Sequence, residues 1–511
     1  MLLLASCGGD GGASSRAKIS QVSSSRVSFD IGSPSVTEIW VDPVNGSDTA
    51  SGASRASALR TLSAAWDMVP SGQTLSTGYH IKLAAGTFTQ EMAPNYWESR
   101  WGTFTAPVII ESVDGEYASV LPALNIYDCR YLYLVGVKSV ADGGGGDTVH
   151  CEKCDHFLMR RSAAVWPGVG ERPQEALKIN QSSYVYIEDG EFSGGGDNAI
   201  DFVAVQYGHI VNNAIHDAVN WCMYLKGGSA YFRVEGNEYY SCGEGGFTAG
   251  QGTGFEYMVS PWIHYEAYDI KFVNNVIHDI YGAGIGVNGG YNVLMAFNTM
   301  YRVGERSHVI EAAFGSRSCD GDTARCAANL ALGGWGTSAA FTEGEPVPNR
   351  NVYIYNNVVY NPAGYASAYQ HFTIQGPRAP GGGSNIPSPA VTDTNLQIKG
   401  NIIWNGGAEM PLGVEDGEQG CQADNPTCNA AQLLADNYIN KGQPTLANPD
   451  SGDFRPVTGG FIEGITAVAI PDFQWADAPA TPAAPAGTAS NSVPLNRADE
   501  ARGGAAHPGA Y

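Results

Sequence analysis

The sequence predicts an all-β solenoid, and three observations predict it. First, short alternating strands recur, among them Tyr184-Val-Tyr-Ile-Glu188, His209-Ile-Val211, Tyr231-Phe-Arg-Val-Glu235, Ile270-Lys-Phe-Val273 and Val293-Leu-Met-Ala296. Second, each ends on a Gly or Asn at a fixed period. Gly190, Asn213 and Asn237 are 23 and 24 apart (213 − 190, 237 − 213), and Asn275 to Asn298 is again 23. Third, 65 glycines and many Asn-centred corners suit a fold made of tight turns. A repeat of this size, built from strands, cannot bury its apolar side alone, so rungs must stack.

A chain of 511 residues would ordinarily divide into several domains. A solenoid instead grows by adding rungs. The net charge of −23 argues against a nucleic acid partner, which calls for clustered Lys and Arg. No apolar run approaches the roughly 18 residues of a membrane-spanning helix. The expected molecule is a monomer that meets a membrane only through a lipid anchor.

From the start of the chain, Leu4-Ala5-Ser6-Cys7 resembles the lipobox of bacterial lipoproteins, which implies lipidation of Cys7 and export, although no basic segment precedes it. Residues 8–37 are rich in Gly, Ser and Ala and read as a flexible tether. An oxidising compartment suits the other cysteines. Cys319 with Cys326, and Cys421 with Cys428, read as local staples; Cys222 with Cys242, and Cys129 with Cys151, are spaced to stack on successive rungs. Cys151-Glu-Lys-Cys154 lacks the second half of a zinc site. An odd number beyond Cys7 leaves one thiol free.

Order is expected from Glu38. Leu59, Leu62, Trp66 and Val69 fall at helical spacing and predict a helix plugging the open end of the stack. Ile81–Phe88 and Pro107–Ser112 read as the first strands. The opening Val41-Asp-Pro-Val-Asn-Gly-Ser-Asp48, the helix, Leu83-Ala-Ala-Gly-Thr-Phe88, the rungs and the closing Gly509-Ala-Tyr511 together resemble the pectate-lyase-like superfamily. That resemblance implies a single-stranded right-handed parallel β-helix over residues 38–465, with 466–511 an irregular segment packed on it. It leaves the chemistry open, because the fold hosts lyases, hydrolases, epimerases and non-catalytic adhesins.

Further rungs follow at Asn357 and Asn401, separated by gaps long enough to project loops. One holds Trp262, His264 and Tyr265, a second Arg317, Asp320, Arg325 and Trp335, a third His371 and Arg378. Trp262, His264, Arg317 and His371 are candidate sugar contacts, since loops on a rigid scaffold commonly carry function.

Counting from each anchor gives a ruler. Positions +10 and +12 (Ile200/Phe202, Met223/Leu225, Phe247/Ala249, Ile285/Val287, His308/Ile310) are almost all apolar and predicted to face inward. Positions +9, +11 and +13 then face outward, as a floor of small residues flanked by Asp201, Tyr224, Lys226, Asn288 and Glu311. Asp201, Asn288 and Glu311 are candidate substrate contacts. A one-residue slip would turn Arg306 and His308 outward as well. Position +7 stacks Asp197, Asn220 and Glu244, an oxygen set suited to Ca²⁺, the cofactor expected, or equally a run of solvated turn residues.

The leading functional reading is an exported lyase that cleaves a uronate-containing polysaccharide by β-elimination. The resemblance implies a Lys or Arg base and a cation on the substrate carboxylate. Carried over by position, it makes Lys226 the base and Tyr224 the acid, with Arg306 and His308 a second catalytic wall. Two readings stand beside it. A glycoside hydrolase would need two carboxyls about 5 to 9.5 Å apart, for which Asp201 with Asp197 or Glu244 are the candidates. A carbohydrate-binding adhesin would bind without turnover.

Overall fold

The computed structural model describes residues 27–381, 383–414, 419–475, 489–503 and 506–511. Cys7 lies outside them. The chain winds as a parallel β-helix. Sheet A runs over twelve strands from Val36–Val41 to Gln397–Lys399. Sheet B has twelve from Gly86–Thr87 to Tyr438–Ile439, and sheet C ten from Trp97–Glu98 to Phe372–Ile374. Each full turn contributes one strand to C, then A, then B. The interior is one continuous apolar column containing Ile200, Phe202, Met223, Leu225, Phe247, Ile285 and Val287.

The corner between sheets A and B is held by the asparagines. The backbone N–H of Gly190 donates to Asn213 Oδ1 (2.8 Å), Asn213 to Asn237 (2.9 Å), Asn237 to Asn275 (2.9 Å), Asn275 to Asn298 (2.9 Å), Asn298 to Asn357 (2.9 Å), Asn357 to Asn401 (2.9 Å) and Asn401 to Asn437 (3.0 Å). Each side-chain amide also donates to a carbonyl of the rung before, as Asn275 Nδ2 does to Val234 O (3.0 Å). Buried turn backbone must find such partners, and Asn supplies donor and acceptor at once. The residue before the anchor turns left-handed, as at Gly236 (φ 69°) and Asn274 (φ 57°).

The ends are covered. Helix α1 (Leu62–Asp67), capped by Thr61, buries Leu62, Ala65 and Trp66, and Trp66 meets Trp97 of the first sheet C strand edge-on at 4.8 Å. At the other end α3 (Ala430–Asp436) buries Leu433 against the last strands. The tether does not extend to residue 37. Phe29 stacks on Tyr186 (4.4 Å), its N–H donates to Glu188 (2.7 Å), and Val36 already belongs to sheet A. Farther on, Phe473 packs on Tyr353 and Arg502 on Phe297, while Arg497 donates to Asn237 O (2.8 Å).

Among the described residues four disulfides form: Cys151–Cys154, Cys222–Cys242, Cys319–Cys326 and Cys421–Cys428. Cys151 therefore pairs within its own turn rather than with Cys129. Cys129 is the free thiol among the described residues, buried and pushed up to about 12 by that burial.

On the outer face of sheet B the rings of His216, Tyr240 and His278 stack at 4.3 and 5.1 Å. His216 lies 2.7 Å from Asp217 and 3.6 Å from Glu191; His278 lies 2.8 Å from Asp279 and 3.1 Å from Glu238. Burial alone would lower both imidazoles, but the carboxylates outweigh it and hold both above the ordinary 6.5.

Two predictions follow from these contacts. Asn275→Ala strands the Asn237 N–H and the Val234 carbonyl, and is expected to cost about 2–4 kcal/mol in denaturant unfolding; a cost under about 0.5 kcal/mol contradicts a stabilising ladder. For the histidines, a raised folded-state pKa contributes stability that is full at low pH and is lost as pH rises through it. The melting-temperature gap between wild type and His278→Asn should therefore be larger at about pH 5.5 than at about pH 9.

Candidate functional site

The outer face of sheet C carries the candidate site. Each rung here has an irregularity that repeats down the stack. The ladder pairs Glu175 with Asn198 and then Leu177 with Ile200; it pairs Trp221 with Gly245 and then Met223 with Phe247. The skipped residues Ala176, Ala199 and Cys222 are fully buried and packed in the core. A Cβ at Gly246 would come within 2.7 Å of Ile277 Cγ2, and one at Gly284 within 2.6 Å of Met300 Sδ. Position +9 thus faces inward beside +10, which corrects the predicted alternation. Two consecutive inward residues fit only because the first of each pair is small. The kink turns Glu175, Asn198 and Trp221 outward.

Beyond the kink, His150, Lys178, Asp201, Tyr224, Thr248 and Gly286 are successive lateral neighbours. A second column runs Glu152, Asn180, Val203, Lys226. Trp221 covers part of the expected floor: a Cβ at Gly245 would lie 2.2 Å from its ring, and one at Gly286 3.2 Å.

A groove of about 330 Å³ opens over Lys178, Val203 and Lys226, walled by Gly252–Gly254, Tyr257, Asp320 and Arg325. Two loops build that wall. Strand Gly252–Gly254 pairs with Gly315–Cys319, and helix α2 (Thr323–Ala331) is stapled by Cys319–Cys326. Buried Glu256 accepts the Asp320 N–H at 2.9 Å, and Asn329 Nδ2 donates to Phe255 O at 2.7 Å. Beneath them Arg317 and Glu266, both 0% exposed, form an ion pair at 2.6 Å. Glu266 also receives the Gly227 N–H (2.9 Å) and Thr253 Oγ1 (2.7 Å), which fixes the backbone next to Lys226.

Lys226 Nζ lies 3.3 Å from Tyr224 Oη, 3.4 Å from Gln251 Oε1 and 4.4 Å from the centre of the Tyr224 ring. Its hydrogen-bond partners are both uncharged. Tyr224 is 4% exposed, and its hydroxyl also accepts from Asn198 Nδ2 at 2.7 Å. Burial, with Asp201 nearby, raises its phenol well above 10, so it keeps its proton near neutrality.

Lys178 is paired with Asp201 and lies 3.5 Å from Glu175. Burial, against the opposing pull of Lys178 and with Asp147 and Asp201 nearby, pushes Glu175 up to about 9. Burial would lower Lys178, but Asp201 and Glu175 raise it. Glu175 Oε2 and Asp201 Oδ1 are buried without hydrogen-bond partners, so Lys178 is what offsets the charge of this cluster.

Several predicted contacts stand elsewhere. Asp201 is 0% exposed beneath Lys178, and Arg317 is sealed in its ion pair, so neither reaches a ligand. His371 is also 0% exposed, and burial pushes it down to about 4. Trp262 packs on Tyr207 and Tyr231 and donates to Tyr231 Oη (3.2 Å); His264 contacts Gly333 O (3.0 Å). These hold loops together. Asn288 accepts from Thr248 Oγ1 (2.8 Å).

The rung after Asn298 is out of step. Ile310, not His308, pairs with Ile285, a slip of two residues. His308 leaves the strand for the surface, against Gln370 (3.0 Å) and Tyr369, instead of facing inward. Glu311 falls beside Gly286, bonded by Ser307 Oγ at 3.0 Å and raised by burial. Arg306 pairs with Glu244 and donates to Gly243 O (3.1 Å).

That pairing bears on calcium. Asp197, Asn220 and Glu244 do stack, with N–H to O distances of 2.8 Å at each step. Yet Asn220 Nδ2 donates to Asp197 Oδ1, and Glu244 is held by Arg306. One oxygen of Asp197 and one of Glu244 are thus taken by protein donors, which makes the column a poorer calcium ligand set than its spacing suggests. In the two groups of one carboxylate and two sulfurs, Glu256–Cys319–Cys326 and Asp393–Cys421–Cys428, the sulfurs are disulfide-bonded.

Lys178, Glu175, Asn198 and Gln251 escaped the sequence ruler. Ser162 occupies the anchor position before Gly190, but 28 residues earlier (190 − 162). The Gly-rich stretch 167–172 adds five residues to that rung, and a ruler allowing for it reaches Lys178.

No family model matches the chain, and no curated protein does. Among solved structures, pectate lyase Pel9A is 13% identical with a TM-score of 0.46, over 88% of this chain and 95% of that one. XylC in complex with xylose is 8% identical (0.45; 73% and 76%), and a rhamnogalacturonan lyase 11% identical (0.36; 71% and 87%). Likenesses of this size carry no functional argument.

The buried charge cluster is testable apart from function. Glu175→Gln replaces a carboxyl that already holds its proton and should leave unfolding nearly unchanged. Lys178→Met leaves Asp201 buried and unpaired, and should cost about 3–5 kcal/mol. Equal costs in denaturant unfolding would contradict the assigned protonation.

Proposed function

We propose that this protein is an exported lyase that cleaves a uronate-containing polysaccharide by β-elimination in the groove over Lys226. The observation that carries it is the local charge. In a chain of net charge −23, the groove is lined by three basic side chains, Lys178, Lys226 and Arg325, against two acidic ones, Glu152 and Asp320, with Lys226 bonded only to neutral groups and Arg325 exposed on α2. An exposed guanidinium in a cleft suits an anionic substrate, and a lysine bonded only to uncharged groups can serve as the free amine that a base requires.

β-Elimination needs a neutralised carboxylate, a base and an acid. Arg325, with a planar fork of donors, suits the carboxylate. Lys226 removes the proton at C5, and Tyr224, whose raised phenol retains its proton, supplies one to the leaving O4. The carboxyls named for a hydrolase are engaged elsewhere: Asp201 is buried under Lys178, Asp197 is bonded to Asn220 and Glu244 to Arg306. The disulfides favour an oxidising compartment outside the cytosol. Anchoring through Cys7 is part of the proposal.

Wild type incubated with polyuronates should generate the ultraviolet absorbance of an unsaturated product. Lys226→Ala should lower kcat by about 10²–10⁴-fold, and Arg325→Gln should raise KM. Chelation should leave the rate unchanged. New reducing ends without absorbance would replace elimination with hydrolysis, and sugar binding without turnover would make the groove a binding site only.

A further inference from the structure

The geometry around Lys226 also bears on which uronates the groove cleaves. The deduction rests on the elimination reading above. Lys226 and Tyr224 are two residues apart on one strand of sheet C, both on its outer side, with Nζ and Oη 3.3 Å apart. Asn198 Nδ2 fixes the hydroxyl from beneath and Gln251 Oε1 fixes the amine from the side. A sugar lying on this face meets the Lys226 amine from below, and the Tyr224 phenol, 4% exposed, lies behind that amine on the same side.

We infer that the protein carries out syn elimination and acts on uronates whose H5 and O4 lie on the same face of the ring. Those are the 4-linked uronates of gluco or manno configuration. In galacto-configured uronates, and in the gulo and ido C5 epimers, H5 and O4 lie on opposite faces. Eliminating there calls for a base and an acid on opposite sides of the ring.

The step balances without a co-reactant. Lys226 Nζ takes H5, the C5–H electron pair becomes the C4–C5 double bond, and the C4–O4 bond breaks with its electrons on O4. O4 takes the Tyr224 proton, and the ammonium formed at Lys226 returns one to the phenolate across the 3.3 Å contact. Were O4 protonated by that ammonium directly, the proton would still arrive from the same face, so the stereochemistry does not depend on the buried position of Tyr224. Across the groove stands Tyr257, 48% exposed on the loop wall, the phenol an anti mechanism would have to recruit.

Polymannuronate and polyguluronate are C5 epimers and make a direct test with the full-length protein. Product absorbance would be followed on both, and on polyglucuronate and polygalacturonate, with Lys226→Ala, Tyr224→Phe and Tyr257→Phe in parallel. The expected result is turnover of the manno and gluco polymers at least about a hundredfold faster than of the other two. Lys226→Ala should abolish it, and Tyr257→Phe should not change it. Faster turnover of polyguluronate or polygalacturonate, dependent on Lys226 and Tyr257, would overturn syn geometry while leaving elimination intact. Absence of unsaturated product from all four would overturn the elimination reading itself.

Discussion

The ladder of asparagines at the corner between sheets A and B is what the rest of the molecule depends on. Each Asn takes the N–H of the rung before it and gives its amide to a buried carbonyl. The corner can therefore be made at one place per turn only. That constraint keeps successive rungs level, even where 59 residues separate Asn298 from Asn357 and the excess is thrown out as loop. With rungs level, residues far apart in sequence become lateral neighbours about 4.8 Å apart. Lys178, Asp201 and Tyr224 meet for this reason alone.

Sheet C converts that regularity into a cleft. Its repeated kink admits two inward residues in a row and turns a further outward position toward the site. Through it Glu175 reaches Lys178 and Asn198 reaches Tyr224. The loops finish the groove, and their hold is internal: the Glu266–Arg317 pair and the Cys319–Cys326 bridge join them to each other and to the backbone beside Lys226. Buried charge here is neutralised by specific partners, as Asp201 is by Lys178, whereas Lys226 faces the groove bonded only to uncharged groups.

Much of this was legible in the sequence because solenoid geometry is local and periodic. The anchors Gly190, Asn213, Asn237, Asn275, Asn298, Asn357 and Asn401 each occupy the same corner. Three physical causes limited the rest. Strict alternation cannot foresee the kink, so Ala199 and Cys222 read as outward when they are inside. A fixed period cannot absorb insertions, so Lys178 was missed and the rung of His308 was placed two residues out of step. Side-chain pairing is invisible to spacing, so Arg317, Asp201 and Glu244 looked free when each already had a partner.

The central claim is that a sugar lies on sheet C with its carboxylate toward Arg325 and its C5 above residue 226. The most direct measurement is a crystal structure of Lys226→Ala soaked with a tetramer of a manno-configured uronate. The account predicts density along the groove between Val203 and Tyr257, with a carboxylate on the Arg325 guanidinium. Density confined to the separate pocket lined by Tyr265, Trp335 and Arg350, or a chain seated with its carboxylates turned away from Arg325, would contradict it.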